Sequence, residues 1–127
     1  MRKIILPLFL SVLLFSSCQE SKKQKFERKA KEWTKECPIP YTTNVQLDSV
    51  VYLPDKNINQ YYYTVSGEMD DANTIRNSAK DIVGEVSNSV ELKEYKDFNT
   101  SIEYIYRSAQ NGDILYKVMV TPEDYKR

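Results

Sequence analysis

Over residues 21–36 the chain is almost wholly polar, yet Phe26, Ala30, Trp33 and Cys37 recur at intervals of four, three and four. That spacing draws one apolar stripe along an α-helix. Pro38 and Pro40 end it, because each removes an amide donor and disfavours the helical region for the residue before it. Alternation takes over next. Val45, Leu47, Ser49, Val51 and Leu53 share one face of a predicted strand, and Gln46, Asp48, Val50 and Tyr52 share the other. Pro54, Asp55, Lys56 and Asn57 form a turn cluster, and a second strand over 58–66 sets Asn59, Tyr61, Tyr63 and Val65 against Gln60, Tyr62, Thr64 and Ser66. Beyond Gly67, Asp70 or Asp71 offers an oxygen to the open amides of a helix start. Ile75, Ala79, Ile82, Val83, Val86 and Val90 then fall at helical spacing, predicting one main core helix weakened only at Gly84. Leu92, Tyr95 and Phe98 suggest a short further helix over 91–100. Two more alternating runs follow, with Ile102, Tyr104 and Tyr106 on one and Ile114, Tyr116, Val118 and Val120 on the other. Between them Asn111 and Gly112 suit the two positive φ angles of a tight hairpin turn.

The order helix, hairpin, helix, hairpin predicts an α+β fold: a four-stranded antiparallel sheet with helices packed on one face. Tyr61-x-Tyr63-x-Val65 and Tyr116-x-Val118-x-Val120 hint at an internal repeat, which chance likeness between two amphipathic strands explains equally well. With helices on one face, the other presents Tyr52, Tyr62, Ile105, Leu115 and Met119. Those residues are more apolar and aromatic than a solvated face needs, which makes them a candidate binding face for a protein or an envelope polymer. The competing explanation is that Tyr fills strands as a good β-former and that the C-terminal segment covers the face.

The N-terminus has a different rhythm. Arg2 and Lys3 precede an apolar run over 4–15 broken only by Pro7 and Ser11, the outline of an export signal. It is too short to span a bilayer comfortably, since a hydrocarbon core needs about 20 apolar residues. Ser16, Ser17 and Cys18 resemble the lipobox of bacterial lipoproteins, departing from it at Phe15, where a smaller aliphatic is usual. The resemblance implies removal of residues 1–17, a diacylglyceryl group on Cys18 and a membrane partner reached through lipid. It divides the chain into a signal peptide 1–17, a lipidated tether 18–24 and a single α+β domain 25–127. Gln19 after the cysteine resembles outer-membrane sorting, and the absence of an acidic run there implies the periplasmic side. Taken with the order of elements, the chain resembles small lipoproteins of Bacteroides-type bacteria with cystatin-like or β-lactamase-inhibitor-like sheets.

Charge and composition narrow the chemistry. The precursor is formally neutral, but 19–36 holds seven Lys/Arg against four Glu, while 37–127 holds nine against fourteen Asp/Glu. An acidic domain argues against nucleic acid, whose binding is dominated by neutralised phosphates. Histidine is absent, which removes the side chain most often used as general base and metal ligand near neutral pH. With Cys18 lipidated, Cys37 is the remaining thiol; it is read as buried, with an intermolecular bridge as the alternative. Glu68, Asp70, Asp71, Glu123 and Asp124 cluster after two strands, but their spacing matches no calcium loop. Three glycines leave no phosphate loop. The expectation is therefore a lipid-anchored, non-catalytic binding or inhibitor-like module, with no cofactor, no metal and no catalytic residue. A structural or assembly subunit is the alternative, and a small hydrolase comes third.

Overall fold

In the computed structural model, which describes residues 20–126, helix α1 (Lys22–Glu36) opens on a capping box. The Ser21 hydroxyl accepts from the Gln24 amide at 3.2 Å, and the Gln24 side chain accepts from the Ser21 amide at 2.9 Å, satisfying donors that a helix start otherwise leaves open. The helix thus begins within the span read as tether. Cys18, together with residues 1–17, lies outside the described residues.

Phe26 and Ala30 are the part of the apolar stripe that enters the core. The Phe26 ring stacks on Tyr95 at 4.2 Å and meets Tyr52 and Phe98 edge-on at 5.4 and 5.7 Å. Farther along, α1 is held by its backbone neighbour β2 (Val45–Leu53): the Thr34 hydroxyl donates to the Val50 carbonyl at 2.9 Å and accepts from the Val50 amide at 3.0 Å. Those groups need a partner, because β1 (Ile39–Thr42) pairs with β2 only from Val45 to Leu47 and leaves the rest of that edge without a strand.

The sheet has five strands in the order β1-β2-β3-β4-β5, with β3 (Ile58–Val65), β4 (Ser101–Ser108) and β5 (Ile114–Val120) completing it. This corrects the four-stranded antiparallel expectation in two ways. Residues 39–42 form a strand despite Pro40, because an edge strand tolerates a missing donor. In addition, β3 and β4 pair in parallel, in register from Ile58↔Ser101 to Val65↔Ser108. A long helical crossover, residues 66–100, carries the chain back to the end where β3 began.

That crossover holds α2 (Ala72–Ser78), α3 (Ile82–Asn88) and α4 (Lys93–Asp97), and a last turn, α5 (Pro122–Tyr125), follows β5. The single core helix expected over this stretch is two short helices, because the chain turns at Ala79, Lys80 and Asp81. Ile75, Ile82 and Val86 stay buried across the break. Asp71 caps α2 by accepting from the Thr74 amide at 3.0 Å. Each helix contributes buried residues to one cluster against a single sheet face: Phe26 and Ala30 from α1, Ile75 from α2, Ile82 and Val86 from α3, Tyr95 from α4 and Tyr125 from α5. Gly67, at φ +57°, lies where a Cβ would meet the Asn44 side chain at 3.1 Å. In the β4–β5 loop only Gly112, at φ +75°, takes a positive angle, so the turn is wider than the two-residue form expected of Asn111 and Gly112.

Asn57 ties the layers together at one end. At φ +55°, it accepts through Oδ1 from the Tyr52 hydroxyl at 2.7 Å and the Thr100 hydroxyl at 2.8 Å, and it donates from Nδ2 to the Phe98 carbonyl at 3.0 Å. The β2–β3 turn is thereby locked to the start of β4.

Replacing Phe26 by Ala removes the aromatic peg of α1 and is expected to lower unfolding stability by about 3–5 kcal/mol. Thr34→Val leaves the Val50 backbone groups unpaired and is expected to cost about 1–3 kcal/mol. Urea unfolding of both variants checks this; a Phe26→Ala loss below about 0.5 kcal/mol, the size of a typical surface change, would show that α1 is held by something else.

Candidate functional site

The five residues read as an outward face do not come together. Tyr52 is 5% exposed and belongs to the core, on the helix side of the sheet. The cause is a register shift in β2 between Leu47 and Ser49: one extra residue reverses which side chains face inward, so Val50 and Tyr52 point to the helices while Val51 is exposed. Leu115 falls at the β4–β5 irregularity and packs partly against the core. Tyr62, Ile105 and Met119 do share the outer face, but long polar side chains break it up. Gln60 donates to Glu103 at 2.6 Å, Tyr62 donates to Gln60 at 3.1 Å, and the Arg107 guanidinium sits 5.1 Å above the Tyr62 ring. Ile105, 3% exposed, is covered by these neighbours.

The larger apolar concavity is on the opposite side. Helix α1 lies over β2, and α2 and α3 pack toward β5, which leaves the middle of the sheet incompletely roofed. There a groove of about 1000 Å³ opens between the second half of α1, strand β1 and the segment 91–95. Tyr61 and Tyr63 form its floor, Leu47, Leu92 and Tyr95 its sides, and Trp33 and Tyr41 its rim. The volume is at the upper end for small-molecule sites. Trp33 is 53% exposed and Tyr41 64%, so the apolar stripe of α1 runs out of the core and into the groove wall.

Beneath the floor the rings are continuous. Tyr61 stacks on Tyr104 at 5.4 Å, Tyr63 on Tyr106 at 5.1 Å, and Tyr41 tilts over Tyr63 at 5.7 Å. Among the described residues the hydroxyls of Tyr41, Tyr63 and Tyr95 reach no hydrogen-bond acceptor. Asn59 lies behind Tyr61, fully buried, with neither amide atom in a well-formed hydrogen bond, although the Tyr61 hydroxyl interacts with it. Burial pushes the phenols of Tyr61, Tyr63 and Tyr104 up, and those of Tyr95 and Tyr106 up to about 12. They stay neutral donors at any physiological pH.

Charge frames the groove unevenly. Glu32, Glu36 and Glu91 stand on its lining against Lys29. Lys29 lies 3.8 Å from Glu94, which also pairs with Lys25 at 2.7 Å and Lys22 at 3.2 Å. Hydrogen bonding from Lys25, opposed by some desolvation and reinforced by Lys22 and Lys29, holds the Glu94 carboxyl down to about 2. This cluster pins α4 against α1 and so fixes one end of the groove.

No nucleophile is organised nearby. The Cys37 thiol is half-buried and donates to the Trp33 carbonyl at 3.2 Å; burial first, then Asp48 and Glu36, push its pKa up. A raised thiol pKa lowers the fraction of reactive thiolate. Among the described residues no group of three or more His, Cys, Asp or Glu side chains is placed to hold a metal ion. The acidic residues after β3 and β5 serve local structure: Asp70 accepts from Ser108, Asp71 caps α2, and Asp124 accepts from the Thr121 amide. No helix among the described residues is long and apolar enough to cross a membrane.

A family model described as a domain of unknown function, DUF8479, matches residues 21–116. The chain belongs to the DUF8479 family. The match runs from the α1 cap into β5 and includes every groove residue. No curated protein matches this DUF8479 chain. Solved structures share its fold at low identity. The pilotin of the Vibrio vulnificus type 2 secretion system superposes with a TM-score of 0.63 at 13% identity, covering 83% of this chain and 92% of that one. A protein from Pseudomonas aeruginosa described as a candidate secreted protein gives 0.62 at 8% identity, covering 84% and 98%. The type II secretion pilotin of Vibrio cholerae gives 0.61 at 12%, covering 80% and 90%. None of these three is described as a cystatin or a β-lactamase inhibitor. What the DUF8479 domain shares with them is the α+β fold.

The alternation placed Tyr61, Tyr63, Tyr104 and Tyr106 correctly on the helix side but treated that side as closed. The available signal was the residue type, since Tyr carries a hydroxyl that an enclosed aliphatic core does not need.

The raised phenol pKa values give a pH dependence with a definite sign. Unfolded tyrosines release their protons near 10.0, whereas Tyr95 and Tyr106 hold theirs to about 12. Their contribution to stability is therefore intact below pH 10 and lost as pH rises from there toward 12. Alkaline titration of tyrosinate absorbance should show the folded chain lagging behind the urea-unfolded chain, with urea midpoints falling over the same window. Coincident titrations would show that the groove floor is wetter than described.

Proposed function

We propose that the protein is a lipid-anchored, non-catalytic assembly factor of the cell envelope that holds a segment of an envelope protein in the aromatic groove. The observation that carries this reading is the groove itself: about 1000 Å³, floored by tyrosines and rimmed by the exposed rings of Trp33 and Tyr41. Aromatic residues with a polar tip are enriched where proteins meet partners. The pilotin fold of two structural neighbours supports an assembly role over an inhibitory one. The lipobox-like Ser16, Ser17 and Cys18 support anchoring through Cys18, and Gln19 supports the outer membrane with the domain on its periplasmic side. Stable attachment needs more than one acyl chain, as a diacylglyceryl cysteine supplies.

A photoreactive residue in place of Trp33 or Tyr41 is expected to capture one dominant envelope protein in living cells, while the same residue in place of Lys117 on the outer face gives background only. Equal capture from both faces would end the groove reading. Cys18→Ser is expected to move the protein from the membrane fraction to the soluble fraction; unchanged fractionation would rule out Cys18 as the anchor.

A further inference from the structure

The groove's hydrogen-bonding capacity narrows what can lie in it, given that it is the partner site. Tyr41, Tyr63 and Tyr95 present hydroxyls with no acceptor among the described residues. A docked helix satisfies its own backbone carbonyls and is read through apolar side chains. It would leave those donors covered and unpaired, which is costly. An extended segment of polyproline II form has no internal hydrogen bonds, so its carbonyls are free to accept, and aromatic-lined grooves are the sites that take it. Addition as a sixth strand is poorly served, because the adjoining edge is the four-residue β1, where Pro40 has no amide to give.

Charge sets the second requirement. Lys29 leans to Glu94, and Glu32 pairs with Arg28 at 2.9 Å. Glu36 and Glu91, both exposed on the groove lining, have no ion-pair partner among the described residues. An occupant bearing a cation meets both carboxylates' demand, and a bidentate Arg meets it best. We propose that the groove binds an extended, proline-containing segment of an envelope protein that carries an Arg or Lys opposite Glu36 or Glu91.

The test is selection of a random displayed-peptide library on the immobilised full chain in detergent. Two variants run in parallel, Glu36→Arg with Glu91→Arg, and Trp33→Ala with Tyr41→Ala; all four positions are exposed, so the fold is not at risk. Peptides with proline and at least one Arg or Lys are expected to be enriched on the native chain and lost on both variants. The most enriched peptide, synthesised, should shift the emission of Trp33, the only tryptophan in the chain. It should bind the charge-reversed variant at least about tenfold more weakly, the loss expected for one charge-assisted bond. Enrichment of amphipathic helix-formers, of acidic peptides, or of nothing would overturn the proposal, as would a chitooligosaccharide probe that shifts Trp33 where the peptides do not. Any of these results beside a dominant protein adduct from Trp33 would discard the extended-peptide chemistry and leave the assembly reading standing. Specific enrichment without an adduct would do the reverse.

Discussion

Phe26 enters the core from a largely charged helix, and the joining of that helix to the sheet and to α4 depends on that contact. Its ring sits among Tyr52 of β2, Tyr95 of α4 and Phe98 beyond it, joining sheet, first helix and crossover at one point. The attachment is one-sided. Helix α1 is fastened by Phe26, Ala30 and Thr34, and beyond them Trp33 and Glu36 face open space. The helix that closes the core at its first half becomes a free-standing wall at its second. The groove is the gap left where that wall does not meet the rest of the roof.

Much of this was legible locally. The two faces of β3 follow the period-two pattern in its sequence, and β4 and β5 carry Ile102, Tyr104, Val118 and Val120 inward as their alternation requires. Tyr52 was misplaced because alternation predicts faces only while the register is unbroken, and the shift near Asp48 leaves little trace in a run of small and β-branched residues. The break in the core helix was masked because Ile75, Ala79, Ile82 and Val86 keep their spacing through the turn. Parallel pairing of β3 with β4 is a non-local decision, made by where the crossover lands the chain.

The groove was hidden for a related reason. Its lining comes from α1, β1, β2, β3 and the 91–95 segment, and no short motif spans those elements. What the sequence did contain was a bias, tyrosine where leucine or valine would fill a closed core. The buried Asn59 behind Tyr61, with neither amide atom in a well-formed hydrogen bond, belongs to the same polar layer. A floor with this composition tolerates water when empty and offers donors when filled.

The capping box at Ser21 also settles a distance. Glu20 is folded back by Arg28 at 2.8 Å, so on the proposed anchoring at Cys18 the folded chain begins two residues past the lipidated cysteine. At about 1.5 Å per residue, Trp33 stands roughly 18 Å along the axis from the cap. On that proposal helix α1 is a ruler as well as a wall: Trp33 stands no farther from the headgroups than the helix and the two residues before its cap can reach.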